Sequence, residues 1–220
     1  LITKESAMNK RYIPGGIFLL LLVSSLCVGQ TADMTSNRIE LHLQKVRVSA
    51  VLAALAVQSE VAIGFERSDL DGPETTLSVD ETQSTVKELL DHIVKEVPLY
   101  KWQLRDGVIN IMPVRGRSRL LEDFLRTQVR EFKAKGDMSK FNLRNHILDL
   151  AEVELFLKVN NLRTERLRDY IYRRSIYAND ADLSISGTDV LGILNNIIAK
   201  SEYNLWTLSH DGKGTLHLGL

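Results

Sequence analysis

The sequence predicts an α+β protein: two tandem, small βαββαββ-type units with mixed sheets, joined by an amphipathic helix. Three observations predict it. Short segments alternate apolar and polar residues with the period of a half-buried strand, and runs with apolar residues at helical spacing separate them. One helical stripe, Val86, Leu89, Leu90, Ile93 and Val94, recurs as Val190, Ile193, Leu194, Ile197 and Ile198. Each stripe is followed by a tryptophan-bearing strand and an Asp-Gly turn: Trp102 with Asp106-Gly107, and Trp206 with Asp211-Gly212.

The first unit is expected over 38–114. Ile39-Glu40-Leu41-His42-Leu43 reads as a strand. Ser49 opens a helix through Gln58, with Val51, Leu52, Leu55 and Ala56 on one face. A strand over 61–65 and a turn at Asp71-Gly72-Pro73 follow. Leu77-Ser78-Val79 is a short strand, and 85–97 is the second helix, stopped by Pro98. Residues 102–104 and 108–112 form a hairpin around Asp106-Gly107.

A basic amphipathic connector is expected over 115–140. The run 119–135 carries Leu120, Leu121, Phe124, Leu125, Val129 and Phe132 at helical spacing, and Gly136 stands where a helix would stop. The second unit is expected over 141–220. Its start is less legible: 141–144 could be a strand, and 147–159 a helix with Leu148, Ala151, Leu155 and Val159 as its stripe. Residues 167–172 could be a strand or a continuation of that helix. From there Leu183-Ser184-Ile185 matches Leu77-Ser78-Val79, the helical stripes match, Trp206 falls on Trp102, and Leu208 on Leu104.

Composition bounds the function. The chain has 220 residues and no formal net charge, so no overall field favours nucleic acid or anionic lipid. Its one cysteine, Cys27, excludes a disulfide framework and a cysteine zinc site. The first 30 residues read as a leader and signal peptide. Lys10 and Arg11 precede an apolar run over 17–23, shorter than the roughly 20 residues that span a bilayer. The expected location is therefore periplasmic, with an uncleaved inner-membrane anchor as the alternative and no membrane contact after cleavage.

The first unit resembles the secretin and TonB N-terminus short domain family. The resemblance rests on Leu41-His42-Leu43, on Ser49-Ala50-Val51-Leu52-Ala53-Ala54-Leu55-Ala56, on Gln58-Ser59-Glu60-Val61-Ala62-Ile63, on Leu89-Leu90 and on Val108-Ile109-Asn110-Ile111-Met112-Pro113. It covers about 38–113, and the second unit looks like a diverged copy. The family's order of these pieces is more telling than any one of them. What the resemblance implies is a periplasmic module that contacts envelope proteins in secretion, transport or signalling. No pore-forming segment follows the two units, so the expected role is binding and not conduction.

Catalytic chemistry is not expected. The histidines at 42, 92, 146, 210 and 217 lack metal-ligand spacing, and no nucleophile elbow or phosphate loop occurs. Asp69 and Asp71 flank a turn, where Asp bonds its own backbone. No catalytic residue, cofactor or metal is assigned, and no nucleic-acid partner. A stand-alone periplasmic ligand-binding protein or enzyme is the alternative. The candidate partner-binding residues are Ile39, Leu41, His42 and Leu43 on an open strand edge, and Arg126, Arg130 and Lys133 on the basic helix. The strand over 215–218 is a second candidate edge. The expected occupant is an envelope protein or another copy of the chain.

Overall fold

A computed structural model describes residues 34–72, 75–135, 140–165, 182–201 and 204–220. The expected leader, the candidate strand over 167–172 and Pro73 lie outside them. The fold is α+β, with six α-helices and ten strands among the described residues. No helix among them is long and apolar enough to cross a membrane.

The first half runs β1 (Arg38–Arg47), α1 (Val48–Ser59), β2 (Ile63–Glu66), β3 (Thr76–Thr85), α2 (Val86–Glu96), β4 (Tyr100–Arg105) and β5 (Val108–Pro113). β1 and β3 pair antiparallel as a separate two-stranded ribbon of ten-residue strands, longer than the five and three residues the sequence suggested. The ribbon tolerates its polar outer halves because the register shifts between Leu43 and Val46, where Lys45 takes a left-handed conformation. α2 begins directly from the ribbon. Thr85 accepts from Glu88 N, and the Glu88 carboxylate accepts from Thr85 N, so two N-terminal donors are satisfied at once. Asp106 and Gly107 both have positive φ, as a two-residue hairpin turn requires.

The connector is not one helix. Residues 119–135 divide into α3 (Arg119–Leu125) and β6 (Gln128–Ala134). The helical spacing of Leu125, Val129 and Phe132 is real, and all three are buried, but they are buried from two different elements. β6 pairs antiparallel with β8 (Leu183–Asp189) as a second ribbon. β6 is thereby joined by pairing to a strand of the later part of the chain. Residues 141–144 fall inside α4 (Lys140–Leu148), and α5 (Ala151–Val159) follows. The break at Asp149-Leu150 resets the helical phase. Val153 and Leu157 face the core, while Leu155 and Val159 are exposed, contrary to the single stripe read from the sequence. β7 (Arg163–Thr164), α6 (Val190–Lys200), β9 (Leu205–His210) and β10 (Thr215–Gly219) complete the chain. Asp211 closes the last hairpin. Its Oδ1 accepts from Lys213 N at 2.7 Å and Thr215 N at 2.9 Å, which hold its carboxyl down at about 2.

The remaining strands form one six-stranded sheet in the order β4-β5-β2-β9-β10-β7. Three strands come from each half, and the halves meet where β2 runs parallel to β9. The β4-β5-β2 order recurs as β9-β10-β7, with the same antiparallel and parallel pairings. β4 and β9 run in opposite directions, because β5 reverses β4 while β2 and β9 follow β5.

The sheet has a core on each face. Ile63, Phe65, Ile109 and Ile111 join α1 and α2 on one side. Val108, Trp206, Leu208, Leu216 and Leu218 join α3 and α6 on the other. The two halves are thus related by reversed strand direction and exchanged faces, and by an advance of three strands, about 14 Å at the usual strand spacing.

Candidate functional site

The β2–β9 joint shows how this architecture receives a strand. Its register places Ile63 beside Leu205, Gly64 beside Trp206, Phe65 beside Thr207 and Glu66 beside Leu208. The Trp206 indole lies directly over Gly64, so that a Cβ added there would come within 2.3 Å of the ring. The ring is held by a hydrogen bond: Trp206 Nε1 donates to Asn195 Oδ1 on α6 at 2.9 Å. Glycine is required here by close approach of an aromatic ring and not by a turn.

Glu66, at the end of β2, is fully buried. Arg117 grips it, Nε donating to Oε1 at 2.9 Å and the terminal nitrogen donating to Oε2 at 2.8 Å. Glu66 in turn raises the guanidinium above its ordinary value. Arg117 also reaches Glu122 at 3.0 Å, which ties the segment after β5 to α3. Beside this pair, Tyr100 donates to Asp71 Oδ2 at 2.7 Å and accepts from Ser68 N at 3.2 Å. Burial, with Asp71 adding to it, pushes the Tyr100 hydroxyl far above its usual value. The phenol stays neutral and works as a brace between β4 and the loop after β2. Asp71 is thereby occupied as an acceptor.

The candidate residues on β1 divide by face. Ile39 and Leu41 are buried, Leu43 is partly buried, and His42 points outward. His42 Nδ1 is 2.5 Å from Asp80 Oδ1 on β3, and Nε2 is 3.1 Å from Glu40 Oε1. These carboxylates, Asp80 first, raise its pKa above 6.5. Among the described residues no three His, Cys, Asp or Glu side chains are placed to hold a metal ion. Gln58 of α1 donates its side-chain amide to Glu40 O, so one point on β1 is already engaged.

The three candidate cations are not gathered into one helical surface. Arg126 caps α3 and pairs with Glu122 at 2.7 Å, while Arg130 and Lys133 stand on β6. Arg130 meets Glu152 at 3.1 Å and Lys133 meets Glu131 at 2.6 Å. Each charge has a local counter-charge, which shortens the reach of any field from this stretch. The other candidate edge, 215–218, is not an edge where it begins: β10 lies between β9 and β7, and Thr215 and Leu216 pair with Arg163 and Thr164.

Sequence reasoning missed β4 as an end of the sheet: among the described residues the row ends at β4 on one side and at β7 on the other. No sequence signal separates β4 from β9. Trp102 and Leu104 repeat the spacing of Trp206 and Leu208, yet Leu208 is fully buried and Leu104 is 48% exposed. Comparisons with known proteins add no relative: no family model, no curated protein and no solved structure matches the chain.

Proposed function

We propose that the chain is a non-catalytic, periplasmic protein–protein interaction and assembly module, related to the N-terminal domains of secretins or TonB-dependent receptors and acting in secretion, transport or signalling. The resemblance of 38–113 motivates this reading, and the β-α-β-β-α-β-β order of that half supports it. The observation that carries it is the β1–β3 ribbon. Among the described residues its two ten-residue strands pair only with each other, so backbone groups along the ribbon's edges, apart from those such as Glu40 O and Gln83 O that side chains already engage, are left for a partner strand. Ile39 and Leu41 anchor the ribbon to the core, and Glu40, His42 and Asp80 give it a polar outer surface.

The test is photo-crosslinking in the native host from position 42, with a second probe at position 80, and mass spectrometry of the adducts. A specific envelope-protein adduct from either position is the expected result. Folded, exported protein that yields no adduct from both positions overturns the reading.

A further inference from the structure

We propose that the outer edge of β4 is a docking site for an extended segment of a partner protein. The segment runs parallel to β4, carries glycine opposite Trp102 and apolar residues on either side of it, and ends in an acidic residue. This deepens the assembly reading and rests on it.

The argument is the internal joint. β9 occupies in the second half the place of β4 in the first, and β9 receives β2 along its edge. β4 presents the same features, and among the described residues no strand pairs with its other edge. Trp102 Nε1 donates to Asp91 Oδ1 at 2.9 Å, at the same sequence separation of 11 as in the Trp206–Asn195 pair. The indole is therefore anchored to α2 as Trp206 is to α6, and by that equivalence a strand added beside β4 would pass under it as β2 passes under Trp206. Trp206 is 1% exposed under β2, whereas Trp102 is only half-buried and Leu104 is open. Opposite a ring held in this way only glycine fits, as Gly64 shows. Exposed Lys101 and Arg105 flank the patch, and Arg105 stands next to Leu104, the counterpart of the residue that Glu66 faces. An acidic residue at that position of the segment falls beside Arg105, whose present counter-charge is the exposed Asp106 at 3.4 Å; in the internal joint the cation that meets Glu66 is Arg117, which comes from after β5 and not from β9.

The same kind of edge contact would also let copies add end to end, because a heterologous contact of this kind need not close. The far end of the sheet disfavours that occupant. Among the described residues β7 offers only Arg163 and Thr164, polar and without glycine, where β2 offers four residues. The segment comes from another protein.

The probe is a synthetic peptide of this chain's own residues 61–68, Val-Ala-Ile-Gly-Phe-Glu-Arg-Ser, titrated into the isotope-labelled chain and followed by amide and indole NMR. Shifts concentrated on residues 100–105 and on the Trp102 indole are expected. Replacing the peptide's glycine with valine should weaken binding roughly tenfold or more, and Leu104→Lys in the protein should weaken the parent peptide severalfold. No shifts at millimolar peptide, equal binding of the valine peptide, or shifts centred on Trp206 overturn the proposal. So does concentration-dependent self-association abolished by Leu104→Lys, which would make the occupant a second copy. Adducts from positions 42 or 80 are unaffected by failure here, so loss of this site and loss of the assembly reading are separable.

Discussion

The indole nitrogen of Trp206 donates to Oδ1 of Asn195 at 2.9 Å in a site closed to water, and Trp102 makes the equivalent bond to Asp91 in the open. The same bond should therefore be worth different amounts. Asn195→Ala leaves a buried indole N–H without a partner, and should cost about 1–3 kcal/mol. Asp91→Ala exposes its indole to water and should cost well under that. Urea denaturation of the two variants measures the difference. Equal losses would mean that the two tryptophans are not differently buried in solution.

Gly64 is the least substitutable residue of the joint. Gly64→Ala puts a methyl group into the Trp206 ring and should destabilise by about 1–3 kcal/mol. Near-ultraviolet circular dichroism should change with it, because the Trp206 ring must move. Gly72, with open space around its Cα, is the control: Gly72→Ala should leave both stability and spectrum nearly unchanged.

Arg117→Ala strands the Glu66 carboxylate in the interior. The expected loss is about 3 kcal/mol, the low end for a broken buried pair because Arg117 itself is partly exposed. The double variant Glu66→Leu, Arg117→Met should recover much of it. A double variant as unstable as Arg117→Ala would show that packing around Arg117, and not the orphaned charge, sets the cost.

His42 ties the ribbon's stability to pH. Its folded-state pKa lies above the 6.5 of the free side chain, through Asp80 first and Glu40 second. The contact therefore stabilises fully below 6.5, and the contribution fades as pH rises through the folded value. NMR titration of the imidazole should give a midpoint above 6.5 that falls in Asp80→Asn. A midpoint unaltered by Asp80→Asn would place the ring away from that carboxylate.

Much of this fold can be read from residue pattern, and the failures share a physical cause. The stripes at Val86–Glu96 and Val190–Lys200 are legible because each helix lies on one core with a single face. The segment 119–135 misleads because a buried helix and a buried strand happen to continue one periodicity across the short gap after Leu125. Arg130 and Lys133 inherit the error. Leu155 and Val159 mislead because Asp149-Leu150 breaks the helix without glycine or proline to mark it. The candidate edge at β1 is legible from its alternation. The edge at β4 is not, since Trp102 and Trp206 look alike in sequence and differ only in whether another strand lies beside them.

The position of Gly64 and Trp206 in the chain has a consequence for synthesis. The buried apolar residues of the first core all lie before Pro113, so it can collapse early around α1 and α2, with Leu205 packing onto it later. The strand that covers the outer edge of β2 begins only at Leu205. Throughout translation of the intervening residues, β2 waits with a naked edge and an empty groove above its glycine. Non-local pairing of this kind forms late, and exposed strand edges invite wrong partners in the meantime. Nascent chains halted between Pro113 and Leu205 would carry adhesive surfaces at both ends of a three-stranded sheet, so ribosome stalling in this interval should produce aggregates where stalling after β10 does not.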